Sequence, residues 1–591
     1  MRLSGKLKEL WITYLAFKGV LFTCAYALIL SILPLMVPGK PAKAAYVLLL
    51  MSGLWITEII PIYVTGLIPM VLGPLLQLSY PSKISPAYTT DTNMLTLGGL
   101  LMACAVENND VHKRIAISIL RLFGSDPKML LFGIMLPSWF LSMWMSNTAT
   151  TAMMITIVDA LLTNLTKIEE EDYLETDGGN ELLQEERNTV QERTHNSYSQ
   201  LNDAELSPDH VVRQSMSPKR LKEVLRMNAG LSLSISYASS VGGIATTVGT
   251  PPNTYLYGLI VSRYGDSTDL DFGTWMLFAL PLSIIMFLIV WFWFSVLFFG
   301  PRNLLTFKQS ERKKKIIVRV LDAEHEKLGS FKYCEGLTII LFTILTILWI
   351  TRKSGTIGWG RFFVDKNDPK AISYVSDSSA AILMSIIVMI VPASHPVTLW
   401  KHWKHCYETK TEPNAVITRA LLPWNVAVKR LPWGVIVVIG GGYALAVLVQ
   451  DSGLSSNIGK YLGDHLKNVS VTVLSTVCIY AIAVFTEFMT NLAAVSIFLP
   501  IILSLCEGIG IHPFILALPV TVASSFAFVL PVATLPNTIV FAKGRVKVKH
   551  MVMAGVPLNI ISGLVLLTAM STYAVPLFGL NNKPSWMNNV R

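Results

Sequence analysis

A run of polar residues interrupts an apolar segment in the stretch SMWMSNTATTAMM, which extends from Ser142 to Met154. Ser146, Asn147 and Thr148 stand in a row there, between flanks rich in Met, Trp, Leu and Phe. Such side chains lower helix propensity because they hydrogen-bond to nearby backbone, and they are preferred at helix starts. Their oxygens can coordinate a hard cation such as Na⁺, while side-chain and backbone N–H groups can hold a carboxylate. The run therefore predicts a break between helices at which ions bind.

The same polar features recur later in the chain, in the same order. The stretch FTEFMTNLAAVSIFLP around Asn491 matches the first one. Likewise, VASSFAFVLPVATLPNTIV around Asn537 matches YASSVGGIATTVGTPPNTY around Asn253. A third match joins LGGLLMACAVENNDVHKRIA from Leu97 to IGGGYALAVLVQDSGLSSNIG from Ile439. Three ordered matches favour an internal repeat over chance similarity of apolar segments.

The Pro-Asn stretches GTPPN and ATLPN predict a second type of helix break in each half, because Pro removes a backbone donor and disfavours helix before it. Carbonyls freed at these breaks can complete the coordination of a cation. One interrupted hairpin and one broken helix in each half predict two similar half-sites. In repeated membrane proteins of this kind, the binding site lies near the bilayer midplane.

The elements that position these residues are membrane-spanning helices. The 591 residues are 52% hydrophobic and 15% charged, with a mean hydropathy of +0.52, whereas soluble domains carry about 25% charged residues. Apolar runs near the spanning length of about 17 to 25 residues recur along the chain. The plainest runs and two shorter ones lie at 19–37, 276–300, 552–575, 337–350 and 380–391. The composition predicts an all-α polytopic membrane protein.

The net charge of +10 does not indicate a nucleic-acid partner, because the basic residues cluster between spans, as the positive-inside rule predicts. The six cysteines are scattered and show no metal-ligand spacing, which argues against a zinc site or a disulfide framework. Arg2, Lys6, Lys8 and Lys18 precede or border an apolar run longer than the about 7 to 15 residues of a signal peptide. This pattern predicts an uncleaved first span with a cytoplasmic N-terminus.

Charge and hydropathy together predict about eleven spans, two re-entrant hairpins at 128–162 and 471–506, and an inverted-topology repeat with an outside C-terminus. The predicted segments are 1–44, the N-terminus and first span; 45–162, first-repeat spans 2–4 with the inward-side hairpin; 163–227, a cytoplasmic disordered insert; 228–300, the broken span 5 and span 6; 301–332, a cytoplasmic basic loop; and 333–591, second-repeat spans 7–11 with the outward-side hairpin.

Three glutamates lie in or beside apolar segments, and an intramembrane carboxylate is a functional candidate by default. Glu107 is expected at a span end, while Glu58 and Glu487 are interpreted as structural partners of helix ends. Lysine and arginine are absent from the predicted core. Anion binding would therefore depend on helix dipoles, amides and bound cations.

Ser and Thr in membrane helices also hydrogen-bond to helix carbonyls and aid packing. This purely structural alternative stays open for Thr150, Thr151 and Ser496. A buried amide without a partner is costly at the bilayer midplane. Asn147 and Asn491 are therefore interpreted as binding residues.

The chain resembles the divalent anion/sodium symporter family, solute carrier family 13, which includes sodium-coupled dicarboxylate, citrate and sulfate transporters. The resemblance covers nearly the whole chain and is carried by the motifs WMSNTATTAMM, HKRIA, YASSVGG, VGTPPN, VFTEF, FLPI and LPVATLPN. It implies eleven spans, two re-entrant hairpins, a homodimer, and an elevator motion of a transport domain against a scaffold.

The resemblance also implies which residues form the site. The first sodium site would consist of Ser142, Ser146, Asn147 and Gly249, and the second of Thr486, Met489 through its backbone, Asn491 and Ala533. The substrate would contact Asn147, Thr148, Thr250, Asn491 and Thr534. The chain departs from the family pattern at Leu492 in the second tip, at Leu535, where a proline is usual, and at Thr156, where a proline is common after the first hairpin.

The function implied is sodium-coupled uptake of di- and tricarboxylates, with sodium as the coupling ion and no other cofactor. Sulfate transport and sodium-independent carboxylate exchange remain alternatives within this class. A membrane enzyme is the alternative from another class, but GxSxG, HExxH and Ser/His/Asp sets are not found in the apolar segments. A receptor or scaffold would need neither the repeat nor the breaks.

The predicted topology assigns the protein to the plasma membrane, with an extracellular C-terminus. It also separates two glycosylation sequons. Asn468-Val469-Ser470 would face outside and be usable, whereas Asn164-Leu165-Thr166 would face the cytoplasm and stay bare.

Overall fold

The computed structural model describes residues 5–123, 127–176, 218–265, 268–300, 311–353, 358–364, 373–412, 414, 417–466 and 468–589. Throughout these ranges the regular structure consists of helices, and β-pairing is limited to two isolated bridges. The all-α prediction is therefore confirmed for the described part of the chain.

The helices of the first half are, in chain order, α1 (Gly5–Met36), α2 (Lys40–Thr57), α3 (Ile62–Thr65), α4 (Ile68–Leu75), α5 (Pro81–Ile84), α6 (Asp91–Asn108), α7 (Val111–Phe123), α8 (Pro127–Ser142), α9 (Asn147–Thr176), α10 (Pro218–Ile244), α11 (Pro251–Tyr264) and α12 (Phe272–Phe294).

The helices of the second half are α13 (Glu311–Leu328), α14 (Tyr333–Thr351), α15 (Asp377–Ile390), α16 (Pro396–Thr409), α17 (Trp424–Arg430), α18 (Trp433–Asp451), α19 (Leu454–Leu466), α20 (Val471–Phe485), α21 (Asn491–Ile509), α22 (Phe514–Ala523), α23 (Leu535–Ala542), α24 (Val548–Ser571) and α25 (Ala574–Phe578).

Many of these helices are apolar enough to lie in a membrane. Among the described residues, 6 are long and apolar enough to cross one by length and composition, namely Phe17–Met36, Phe272–Phe299, Tyr333–Thr351, Trp433–Asp451, Asn491–Ile509 and Val548–Ser571. Shorter apolar helices occur at Ile62–Leu75, Met129–Ser142, Asp377–Ile390, Val471–Phe485 and Phe514–Ala523. The predicted polytopic character is thus confirmed, while the total of eleven spans stays a prediction.

Local capping explains where the long apolar helices begin. At the start of α12 the Asp271 carboxylate accepts a hydrogen bond of 2.8 Å from the Thr274 backbone N–H. The Thr274 hydroxyl in turn accepts a hydrogen bond of 2.8 Å from the Asp271 N–H. This capping box satisfies two helix-end groups that have no partner within the helix.

The segment predicted as a basic loop at 301–332 contains the helix α13, so that part of the prediction is wrong. Ile317 and Leu321, one helical turn apart, are buried where α13 packs against α7 and α9. Next to this buried face, Asp322 forms an ion pair of 2.9 Å with Arg121 of α7. The amphipathic pattern, which the strong positive charge obscured, determines the helix.

The boundaries predicted for the insert at 163–227 lie within helices. The helix α9 continues to Thr176, and α10 begins at Pro218, so both ends of the predicted insert are helical. The remainder of that prediction falls outside the described residues. Similarly, the predicted boundary at 44 lies inside α2, which begins at Lys40.

Two sets of helices follow the same order, and we call them the first repeat (α6 to α12) and the second repeat (α18 to α24). Each contains a pair of helices joined by a short turn, a second pair joined at a polar tip, an interrupted helix, and a long apolar helix. The packing is matched as well, because α8 packs on α10 and α20 packs on α22.

Helices of each repeat also pack against helices of the other repeat. The helix α9 packs against α23 of the second repeat, and α21 packs against α11 of the first. Such reciprocal contacts are what a pseudo-twofold relation between two halves produces. They support the predicted internal repeat.

Candidate functional site

The first tip, residues 143–146, joins α8 to α9. Ser146 ends it as an N-cap, since its hydroxyl accepts a hydrogen bond of 3.2 Å from the Ala149 N–H. The Ser142 hydroxyl donates to Oδ1 of Asn147 at 2.5 Å. Two of the predicted sodium ligands, Ser142 and Asn147, are therefore in direct contact at the start of α9.

The second tip, residues 486–490, joins α20 to α21 in the same way. Thr490 is the N-cap, and its hydroxyl accepts a hydrogen bond of 3.4 Å from the Ala493 N–H. The hydroxyl oxygen of Thr486 lies 2.9 Å from Oδ1 of Asn491 and 2.8 Å from the carbonyl oxygen of Ser524. A hydroxyl group donates only one proton, so three oxygens share a single hydrogen. These three neutral oxygens carry partial negative charges and could coordinate a cation.

Asn253 stabilises the break in the interrupted helix of the first repeat. Its side-chain Nδ2 donates to the carbonyl oxygens of Gly243, at 3.1 Å, and Thr246, at 2.7 Å, which lie ten and seven residues earlier in the chain. Thr250 precedes α11 in an extended conformation, with φ −147° and ψ 142°. The asparagine thus donates hydrogen bonds to carbonyl groups that have no helical N–H partner because of the break.

Asn537 stabilises the break of the second repeat in the same way. Its Nδ2 donates to the carbonyls of Ala527, at 2.9 Å, and Leu530, at 3.0 Å, again ten and seven residues earlier. Thr534 precedes α23 with φ −144° and ψ 150°, close to the angles of Thr250. The two breaks are therefore built by the same local geometry.

Tip and break are in contact in the first repeat. The Thr246 hydroxyl donates to the Met143 carbonyl, and the Gly249 N–H donates to the Thr246 hydroxyl at 3.0 Å. A Cβ atom on Gly249 would lie 2.6 Å from the Gly243 carbonyl oxygen, and one on Gly243 would lie 2.4 Å from Asn147 Oδ1. Only glycine permits this close approach. Ser142, Asn147 and Gly249 are thereby linked through a chain of contacts that passes through Gly243.

One face of α10 connects the two half-sites. Ser236 donates to Oδ1 of Asn537, and Ser239 accepts a hydrogen bond of 3.2 Å from Thr151. Gly243, further along the same face, lies against Asn147. Seven residues of helix span about 10 Å. The break of the second repeat and the tip of the first therefore lie about two helical turns apart along one helix.

The Thr151 contact between helices supports the packing role left open for that residue. Within the described residues, no partner is found for the buried hydroxyl group of Thr150.

Glu487 stabilises the break of the second repeat. Its carboxylate accepts hydrogen bonds of 3.0 to 3.1 Å from the backbone N–H groups of Phe528, Val529 and Leu530, and one of 2.9 Å from the Asn559 side chain. Successive N–H groups that point to one place form an anion-binding nest. The predicted structural role of Glu487 as a partner of a helix end is confirmed.

The remaining predicted site residues lie in or next to the same turns. Thr148 is half-buried in the first turn of α9. Met489 is buried in the second tip, and Ala533 is buried in the short 3₁₀ turn Pro531–Ala533. Leu492, at the position that corresponds to Thr148, is also buried. Their roles as sodium or substrate ligands stay predictions.

Some residues that build the site were not singled out as site residues from the sequence. Thr246, Ser236 and the Ser524 carbonyl act through contacts between distant segments, which no local pattern reveals. For Asn253 and Asn537 there was a signal, since both follow a proline in matched positions of the two repeats. That signal indicated the break but not that the asparagine amide holds it open.

The described hydrogen bonds of the two tips involve hydroxyl, amide and backbone groups and, in the second tip, the Glu487 carboxylate, whereas neither lysine nor arginine takes part. The tips are also helix N-termini, whose unpaired N–H groups and positive dipole ends favour an anion. The site therefore offers oxygens to which a cation could bind and N–H groups to which an anion could bind.

The fold and the paired tips define a helical membrane protein with two matching halves, a plan shared by many secondary transporters. The profile of the sodium:sulfate symporter transmembrane region matches residues 14–580. The chain belongs to this family, which confirms the resemblance found in the sequence.

Named relatives match the chain over most of its length. It is 36% identical over 564 residues to solute carrier family 13 member 2 of Oryctolagus cuniculus, covering 94% of this chain and 93% of the relative. It is 35% identical to the Na⁺/citrate cotransporter of Rattus norvegicus, covering 97% of each. It is 36% identical to Na⁺/dicarboxylate cotransporter 3 of Mus musculus, covering 95% and 92%.

Among solved structures, the chain is similar to MtrF of Neisseria gonorrhoeae, which is described as one of a class of antimetabolite efflux pumps. The TM-score between the two structures is 0.49. The two sequences are 12% identical, with 83% of each chain covered.

Proposed function

We propose that this protein is a secondary active transporter that couples the movement of di- and tricarboxylates, of the succinate and citrate class, to sodium. The observation that carries the proposal is the cluster of Thr486, Asn491 and the Ser524 carbonyl, matched by the contact of Ser142 with Asn147. Relatives named as citrate and dicarboxylate cotransporters support the substrate class. The protein is not proposed to be an enzyme.

The proposed coupling follows from charge. Burial of a dianion costs several kcal/mol per ion, and each helix N-terminus offsets about 0.3 to 2 kcal/mol. Since the tips contain neither lysine nor arginine, bound cations would supply the rest of the stabilisation. Sodium would therefore bind first, and the anion would bind well only to the cation-loaded site.

In this proposal Asn147 and Asn491 each contact a cation and the anion, while Thr148, Thr250 and Thr534 contact the anion. The cations would be held by Ser142, Ser146 and Gly249 at one half-site, and by Thr486, Met489 and Ala533 at the other. We also propose that the chain forms eleven spans and two re-entrant hairpins. The protein would act as a homodimer in the plasma membrane and would transport by an elevator motion.

The test is uptake by the purified protein in proteoliposomes. With an inward sodium gradient we expect uptake of labelled succinate and citrate, and replacement of sodium by choline is expected to lower it by about 10- to 100-fold. Empty liposomes provide the background. Equal uptake in choline would contradict sodium coupling, and exchange with preloaded succinate would then identify a carboxylate exchanger. Uptake of sulfate but neither carboxylate would contradict the substrate class.

Glycosylation tests the proposed orientation. Asn468 is exposed in the turn between α19 and α20, whereas Asn164 is on the helix α9 and its sequon partner Thr166 is buried. We therefore expect a glycosidase-sensitive mass shift in mammalian cells that is lost in Asn468→Gln and kept in Asn164→Gln. A shift lost only in Asn164→Gln would reverse the orientation of both repeats.

A further inference from the structure

A buried ion pair joins the broken helix of the first repeat to the second repeat. Arg263, in the last turn of α11, donates from Nε and Nη2 to the two carboxylate oxygens of Glu507 on α21, at 2.8 and 2.7 Å. The hydroxyl of Tyr264 donates to the same carboxylate at 2.7 Å. Arg263 is buried, and its Nη2 also donates to Ser504 at 3.2 Å. Such fork-shaped pairing fixes geometry as well as charge.

A second ion pair also joins the two repeats, but here the arginine belongs to the second repeat and the carboxylate to the first. Arg545 follows α23 of the second repeat, and its Nη2 lies 2.7 Å from Oδ1 of Asp159 on α9. Its Nη2 also donates to Thr163, one turn further along α9, at 3.1 Å. Lys543 lies 3.6 Å from the other carboxylate oxygen. Arg545 is buried, as Arg263 is.

The two pairs occupy corresponding places. In each, an arginine at the end of a broken helix, or shortly after it, holds the helix that begins at the tip of the other repeat. Asp159 lies twelve residues after Asn147, and Glu507 sixteen residues after Asn491. At 1.5 Å per residue these separations are about 18 and 24 Å. Each tip helix is therefore held at its start by its own repeat and further along by the other repeat, near the middle of α9 and near the far end of α21.

We propose that Arg263–Glu507 and Arg545–Asp159 are positioning pairs that couple the two sodium half-sites to each other. The Arg263–Glu507 pair is fork-shaped, while Arg545 contacts a single oxygen of Asp159 through both Nε and Nη2. In either case, a shift of the tip helix along its axis would break the contacts of the pair. Movement of one tip on sodium binding is thus transmitted to the broken helix, and so to the half-site, of the other repeat. This inference rests on the proposed function, because it assigns cooperativity to the sodium ions.

The experiment measures sodium dependence in two ways, by succinate uptake and by the melting temperature of the purified protein at increasing sodium. For the unmodified protein we expect a Hill coefficient of about 2. For Glu507→Gln and for Asp159→Asn we expect it to fall to about 1, with at least about a fivefold loss of apparent sodium affinity. The succinate KM at saturating sodium should change little.

A removed carboxylate leaves a buried arginine without its partner, which can itself prevent folding. The double variant Arg263→Met/Glu507→Met removes both charges together, and replacement of a whole buried ion pair by apolar side chains is often neutral for stability. It is expected to show the same loss of sodium cooperativity. The matched control is Arg121→Gln/Asp322→Asn, which removes a partly exposed ion pair between α7 and α13 and leaves the contacts between the two repeats unchanged, and it should retain the unmodified Hill coefficient.

An unchanged Hill coefficient in folded Arg263→Met/Glu507→Met and in Asp159→Asn would overturn the inference alone, since sodium-driven uptake would persist. Uptake and melting temperature that are both independent of sodium in the unmodified protein would overturn the proposed function, and the inference with it. A lower melting temperature with an unchanged Hill coefficient would identify the pairs as purely structural and also overturn the inference.

Discussion

Replacement of either Asn147 or Asn491 by alanine is expected to lower succinate uptake by about 100-fold or more. Each asparagine stands at a helix start, with its Oδ1 beside the hydroxyl of Ser142 or Thr486. Hydrogen bonds to charged groups contribute about 1.5 to 3 kcal/mol each, and in the proposed site each asparagine serves both a cation and the anion. Loss of both contacts accounts for the expected size of the effect.

The measurement is sodium-driven uptake normalised to the amount of folded protein at the cell surface or in the proteoliposome. Asn457→Ala is a suitable control, because Asn457 is an exposed asparagine on α19, outside both tips. It should transport like the unmodified protein. Normal uptake kinetics in Asn147→Ala or Asn491→Ala would remove that tip from the binding site.

The second large effect concerns the asparagines that hold the breaks open. In Asn253→Ala the buried carbonyls of Gly243 and Thr246 lose their side-chain donor, and in Asn537→Ala those of Ala527 and Leu530 do. An unsatisfied buried polar group costs about 1 to 3 kcal/mol. We therefore expect each variant to lose about 2 to 6 kcal/mol of stability, with a clear fall in melting temperature.

Thermal unfolding in detergent, followed by intrinsic fluorescence, provides the measurement. Thr254→Val is the graded control, since it removes a single hydrogen bond, of 2.6 Å, to the Thr247 carbonyl. Its destabilisation should be about 1 kcal/mol, well below that of Asn253→Ala. Equal melting temperatures for Asn253→Ala and the unmodified protein would show that water or another group satisfies these carbonyls.

The long apolar helices and the polar tips could be predicted from the sequence because their signals are local. The helices α12, α14, α15 and α24 cover the apolar runs, and the tips fall where Ser146 and Thr490 begin a helix. Capping and hydropathy act within a few residues, so one stretch of chain contains the whole signal. The order of the repeat was readable for the same reason, since each matched motif is short.

The helix α13 was missed because its positive charge suggested a solvent-exposed loop. Its apolar residues Ile317 and Leu321 favour a helix only when α7 and α9 provide a surface to bury them. The limits of the predicted insert were misplaced for a related reason. The ends of α9 and α10 are polar, but a helix that has already formed in the apolar part of each segment extends into these ends at little cost.

Proline, glycine and the capping side chains act on their own neighbours in the chain, so the amino-acid sequence is enough to locate the residues that interrupt the helices and to show that two such sets exist. How the two sets combine depends on tertiary packing. Ser236 with Asn537, Thr486 with the Ser524 carbonyl, and Arg263 with Glu507 join segments far apart in the chain. Such pairs depend on the packing of whole helices against one another, which no window of sequence specifies.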